Sequence, residues 1–238
     1  MQKFFRNTKL FSYYEKIQPF LKYSFSLQEG VGVNRVLIIS PHQDDESIAC
    51  GGAIAKHTSS GGKASVLFLT SDTPERAQEA SNACKIIGVD EVMSLKHSAD
   101  TLHTQKTISG SIENVIKQQK PEVVFAPFWL DNHSDHRVAA SALAKLAKKY
   151  DFIVYAYGVW LPVYPNVLID CSKHWDSKMS AIGCYKSQLK DRNYIAMADG
   201  ISKYWACVKG RGITNAEVYF VATIKEYATM QERIFGKL

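Results

Sequence analysis

From Arg35 onward, short β-branched apolar runs alternate with stretches of helical period. Arg35 to Ser40 reads as a strand, Ser47 to His57 as a helix and Ala64 to Thr70 as a second strand. The rhythm continues through a helix over Pro74 to Ile87, a brief strand near Val92, a helix over Thr104 to Gln119 and a strand over Glu122 to Ala126. Past Arg137 a helix runs to about Lys149, followed by strand-like Phe152 to Tyr157 and Val167 to Cys171, a helix from about Ser172 to Cys184 and a last strand near Val218 to Ile224. Continuous apolar strands alternating with helices predict an α/β sandwich of three layers, its mostly parallel sheet covered on both faces. Ligands of such sheets bind outside the carboxyl ends of the strands, where loops enter helices.

Two segments break the rhythm. Asp191 to Thr214 scatters Gly200, Gly210 and Gly212 among polar and aromatic residues, which predicts long loops shaping a pocket or a subunit contact. Residues 1–30 interleave Phe4, Phe5, Phe11, Tyr13, Tyr14, Phe20, Tyr23 and Phe25 with basic residues. A helical arm packed on its own domain or on a neighbouring subunit of a homo-oligomer is the preferred reading. An amphipathic arm lying on a membrane, or covering a lipid-linked substrate, is the less favoured one. Residues 31–238 read as a single domain.

Composition changes this picture little: 46% apolar and 22% charged residues over 238 positions are ordinary for a soluble globular chain. The net charge of +6 favours anionic ligands, but the basic residues are scattered, and Lys145, Lys148 and Lys149 suit a solvated helix face better than a nucleic-acid patch. Five cysteines without a C-x-x-C pair point to a reducing cytoplasm. Near the start, Lys3, Arg6, Lys9, Glu15, Lys16 and Lys22 interrupt every apolar run, so the expectation is a soluble or at most peripheral protein.

The chemistry concentrates in two clusters. Pro41-His42-Gln43-Asp44-Asp45-Glu46 directly follows the first strand of the pattern, with Cys50-Gly51-Gly52 in the next helix. Four ionisable groups in five residues repel unless a cation joins them. His42 and Asp45, three apart in a turn entering a helix, can face one point, while Asp44 projects elsewhere and stays free to act as a base. The second cluster, Pro127-Phe128-Trp129-Leu130-Asp131-Asn132-His133-Ser134-Asp135-His136, also follows a strand and opens a helix. Converging on one ion, the two loops give two histidines and a carboxylate with an open position for water, the ligand set of hydrolytic zinc sites. Iron, manganese and cobalt suit the same donors. Each cluster alone is equally a helix start, since caps and first-turn acids need no metal. His57, His97, His103 and His174 lack acidic company and read as ordinary residues, and Trp129, Tyr157, Trp160, Tyr164 and Trp205 read as core before sugar-stacking faces.

With these residues the chain, over about 34–225, resembles the PIG-L/LmbE-like zinc-dependent de-N-acetylases. That family carries Ala/Pro-His-Pro-Asp-Asp-Glu and, later, His-x-Asp-His on a Rossmann-like α/β sandwich. The resemblance implies zinc held by His42, Asp45 and His136, with Asp44 as general base. It implies that His133 stabilises the oxyanion or protonates the leaving amine, and that Asp135 orients one of the histidines. Arg76, with Glu79 and Ala83, resembles the family's R-x-x-E-x-x-x-A helix whose arginine faces substrate, and Tyr185-Lys186-Ser187-Gln188 resembles its K-S-Q turn. The substrate implied is an N-acetylated amino sugar, free or linked to a nucleotide or lipid. Gln43 and Ser134 replace family prolines, the segment Thr70 to Arg76 is short, and the aromatic arm has no counterpart. Two rivals remain: a metal-dependent hydrolase of another bond, such as a phosphoester, and a non-catalytic sugar-binding module.

Overall fold

The computed structural model describes residues 25–71, 73–209 and 212–236. Their strands are β1 (Ser26–Gln28), β2 (Arg35–Ser40), β3 (Lys63–Thr70), β4 (Glu91–His97), β5 (Val123–Pro127), β6 (Ile153–Tyr157), β7 (Val167–Asp170) and β8 (Ala216–Thr223). They form one sheet in the order β1-β7-β8-β6-β5-β2-β3-β4. Every pairing is parallel except those of β8, which runs antiparallel to β6 and β7. The helices are α1 (Asp45–Ser59), α2 (Pro74–Ile86), α3 (Ile108–Gln119), α4 (Ser134–Ala144), α5 (Trp175–Gly183), α6 (Lys186–Leu189), α7 (Tyr194–Lys209) and α8 (Ile224–Phe235). The predicted mostly parallel α/β sandwich is the fold.

Strand alternation builds the layers. Leu37, Ile39, Val124 and Val154 face one apolar cluster, whereas Val36, Ile38, Val123, Phe125 and Tyr155 face the other, so both sides of the central strands are dry. Helix starts follow the chemistry of their caps. The Thr73 side chain accepts from Arg76 N ahead of Pro74, and Thr223 and Glu226 form a reciprocal capping box on α8. Neighbouring β2 and β5 run parallel, with β3 and β6 on their outer sides, so the order reverses between them. That reversal is the switch point at which open α/β sheets hold ligands, and both sequence clusters lie at its carboxyl edge.

Several expectations change. Asp191 to Thr214 is not a long loop: Tyr194–Lys209 is a helix of 16 residues. It buries only Tyr194, Ala198, Ser202 and Ala206, a stripe too small to register as hydrophobic period. The terminal helix α8 was not anticipated. The helix expected from Thr104 starts at Ile108 after a 3-10 turn at Leu102–Thr104, and the one expected to reach Lys149 ends at Ala144. Within the expected arm of residues 1–30, Ser26–Gln28 pairs with β7; residues 1–24 of that expectation lie outside the described residues. Among the described residues no helix is long and apolar enough to cross a membrane.

Helix α1 is seated on a buried ion pair. Lys178 Nζ lies 2.6 Å from Glu217 Oε1, and the Glu217 carboxylate accepts from Gly52 N and Ala53 N at 2.8 Å each and from the Tyr219 hydroxyl at 2.6 Å. The pair stands only because every lone pair of the carboxylate is used. Gly52 permits the approach: a Cβ there would meet Cys171 Cβ at 2.8 Å and Glu217 Oε1 at 3.0 Å. Gly52→Ala is therefore expected to destabilise by about 1–3 kcal/mol through overpacking, read as a lower urea midpoint. An unchanged midpoint would contradict this packing.

Candidate active site

The turn between β2 and α1 buries three consecutive carboxylates, Asp44, Asp45 and Glu46, at 5%, 2% and 0% exposure. Each has its own partner. Glu46 Oε1 accepts from the Tyr185 and Ser47 hydroxyls at 2.6 Å each, and Oε2 accepts from Asp44 N at 3.1 Å. Glu46 thus holds the turn. Burial raises its pKa to about 7 against those two hydroxyl bonds. Asp44 caps α1 with φ 153° and ψ −28°, a backbone conformation that non-glycine residues seldom adopt. Its Oδ2 lies 3.1 Å from Arg76 Nη2, and burial together with the charge of Asp45 raises its pKa to about 8 against the pull of Arg76.

Asp45 points the other way, into the histidines. Its Oδ2 is 3.3 Å from His42 Nδ1 and 3.2 Å from His136 Nε2, and those two nitrogens are 3.4 Å apart. Burial would raise the Asp45 pKa, but His136 and His42 hold it well below the usual carboxylate range. A point equidistant from the three atoms lies about 1.9 Å from each, close to the ~2.0–2.2 Å of zinc bonds to imidazole and carboxylate. The donor set fits a small divalent ion. His133 also brings a ring nitrogen within 4.8 Å of those of His42 and His136, and forms a second acidic group with Asp100 and Asp135. The closer triangle with its buried carboxylate is the better cation site.

Outer carboxylates orient both rings, as in most imidazole–metal sites. Asp135 Oδ2 lies 3.2 Å from His42 Nε2, and Asp131 Oδ2 lies 3.4 Å from His136 Nδ1. Burial alone would lower both histidine pKa values, yet the facing carboxylates raise His42 to about 10 and His136 to about 9. His133 behaves differently: burial and the charges of His42 and His136 lower its pKa. Its Nδ1 accepts from Asp135 N at 3.2 Å, which puts the proton of the neutral ring on Nε2. That nitrogen lies 3.5 Å from Asp100 Oδ1.

The sequence-derived site residues therefore come together. His42, Asp44, Asp45, Arg76, His133 and Gln188 line one cavity of about 180 Å³, and Asp135 and His136 lie buried behind it. Arg76 is not free to wait for substrate, since it binds Asp44 Oδ2 and donates through Nε to Gln43 O at 3.0 Å. Glu79 joins the two weaker motifs by accepting from Ser187 N and Oγ at 2.8 and 2.5 Å. Of the five aromatics singled out, Trp129 and Tyr157 are core, Trp205 is half-buried against the Leu168, Ala206 and Ala216 cluster, Tyr164 is exposed and Trp160 lines the cavity. Sequence reasoning assigned no role to Asp131. Its Oδ1 accepts from His133 N at 3.0 Å and its Oδ2 from Val159 N and Trp160 N at 2.9 and 3.2 Å. The only signal was its place between a strand end and two histidines. Tyr194 and Asp100 were also missed.

Comparison with known proteins agrees with these motifs. The family described as PIG-L, GlcNAc-PI de-N-acetylase, matches residues 37–147. A diacetylchitobiose deacetylase of Thermococcus kodakarensis is 28% identical over 203 residues, covering 71% of this chain and 76% of that protein. Solved structures share the fold as well. An N,N'-diacetylchitobiose deacetylase from Pyrococcus horikoshii superposes with a TM-score of 0.70 at 20% identity, covering 85% of this chain and 89% of that one. GalB, the 4-carboxy-2-hydroxymuconate hydratase of Pseudomonas putida KT2440, does so with a TM-score of 0.68 at 22% identity, covering 80% and 96%.

Protons and a cation would compete for the same triangle. The carboxylates facing His42 and His136 favour their protonated forms, and a metal must displace those protons, so zinc affinity should rise with pH across the neutral range. Calorimetry in buffers of different ionisation enthalpy should show protons released as the ion binds near neutrality. Affinity independent of pH, or zinc retained by a His136→Ala variant, would argue against this site.

Proposed function

We propose that this chain, whose residues 37–147 match the PIG-L pattern, is a PIG-L/LmbE-like enzyme that hydrolyses the acetamide of an N-acetylated amino sugar. The observation that carries this reading is the triangle of His42, Asp45 and His136 beside a buried, near-neutral carboxyl, Asp44, in one cavity. His42, Asp45 and His136 would hold the ion, with zinc first by donor chemistry. Zinc bound there supplies a Lewis acid that polarises a carbonyl and lowers the pKa of water from 15.7 towards ~7.

The chain's own groups do the rest. Asp44, with a pKa raised to about 8, is suited both to take the proton of the attacking water and to return it to the departing nitrogen. Arg76 fixes that carboxylate, and the Glu46 bond to Asp44 N holds the strained backbone beneath it. His133, kept neutral with its proton on Nε2, donates to the oxygen on which negative charge develops. Asp135 positions two histidines at once, His42 through Oδ2 and His133 through its backbone N–H. Water enters, the C–N bond breaks, and acetate and a free amine leave.

Asp44→Asn should keep metal at wild-type stoichiometry while acetate release from an N-acetylhexosamine panel falls close to background. Parallel loss of metal would mean that Asp44, not Asp45, is the ligand. For His133→Ala, kcat should fall by about 10²–10³ with metal retained, the usual consequence of removing one oxyanion donor. Near-wild-type kcat would remove His133 from that role. Phosphate rather than acetate appearing across the panel would favour the phosphoesterase reading.

A further inference from the structure

The cavity over Asp44 is too small for a whole glycoside. Its volume of about 180 Å³ falls below the ~300–1,000 Å³ usual for ligand sites. A second cavity of about 370 Å³ adjoins it and shares His133, Trp160, Gln188 and Tyr194, extending past Asp191 and Arg192. A pyranose whose acetamide reaches Asp44 can place its remaining substituents there.

The two arginines bordering these cavities are in different states. Arg76 is committed to Asp44 and Gln43. Arg192 lies over the Trp160 ring, its Cζ 4.7 Å from the centroid, and among the described residues no hydrogen bond or ion pair engages its guanidinium. Stacking on an indole fixes the plane of a guanidinium and leaves its edge donors available. Such an edge matches a phosphate or a carboxylate in bidentate fashion. Asp191 lines the same cavity, so discrimination would come from the donor fork rather than from net positive charge.

We propose that Arg192, held on Trp160, is a specificity residue that binds an anionic group, phosphate or carboxylate, attached to the N-acetylated sugar. The substrate class is then an anionic glycoside rather than a neutral oligosaccharide. This inference rests on the deacetylase reading, and the experiment separates the two.

Acetate release is measured with N-acetylglucosamine 1-phosphate, a carboxymethyl N-acetylglucosaminide and neutral methyl N-acetylglucosaminide, for wild type, R192A and R192K. In parallel, calorimetry measures binding of the already deacetylated glucosamine 1-phosphate and methyl glucosaminide. The wild type should show a KM for at least one anionic substrate roughly tenfold below that of the neutral one, with similar kcat. The ratio should collapse towards unity in R192A and persist in part in R192K, and the phosphate and carboxylate arms identify which anion is preferred. A wild type without preference, or an R192A variant that keeps it, overturns the proposal. Anion discrimination in calorimetry with no acetate released from any glycoside would instead overturn the hydrolase reading and leave the anion site standing.

Discussion

Three carboxylates buried in consecutive residues are the constraint around which this molecule is arranged. Moving one such charge out of water costs several kcal/mol, and adjacent like charges add to it. The fold answers each residue with a different element: α2 sends Arg76 to Asp44, β5 and α4 bring His136 to Asp45, and the end of α5 brings Tyr185 to Glu46. The Glu79–Ser187 bonds then tie α2 to α6. Removing any one partner leaves a buried charge without compensation. The crowding also separates the three acids chemically, one held ionised by histidines, one tuned near neutrality and one fixing the backbone.

The sheet supplies the meeting point. With β2 and β5 adjacent and parallel, loops 94 residues apart in sequence open side by side, which is why His42 and His136 touch. The antiparallel β8 contributes from farther off. It carries Glu217, whose carboxylate seats the middle of α1 and so sets where the first turn of that helix, with Asp45 and Glu46, can lie.

The sequence carried the site more clearly than its surroundings. His42, Asp45 and the histidines of the second cluster were legible because charged residues stood at strand ends in an otherwise apolar rhythm, and the strands were legible from β-branched runs. Helix α7 was not, since Ala198, Ser202 and Ala206 do its packing while Ile195, Met197, Ile201 and Val208 are exposed. Its period pointed away from the core. Helix α8 has a local start signal in the capping box of Thr223-Ile224-Lys225-Glu226, but it directly abuts the apolar run of β8. The Lys178–Glu217 pair joins residues 39 apart, and no local pattern announces which buried acid meets which lysine.

Asp131 has a consequence for anyone reshaping this protein. One carboxylate holds the backbone of His133, the backbone of Val159 and Trp160, and the outer face of the His136 ring. The cavity wall and the proposed cation ligand His136 therefore share an anchor. Loop grafting meant to alter selectivity has room at the exposed Leu161 and Tyr164, on either side of the buried Val163. Exchange of the Val159–Trp160 peptide would reach the His136 ring, and with it the proposed cation site, through Asp131, so the wall of the cavity and its floor do not change independently.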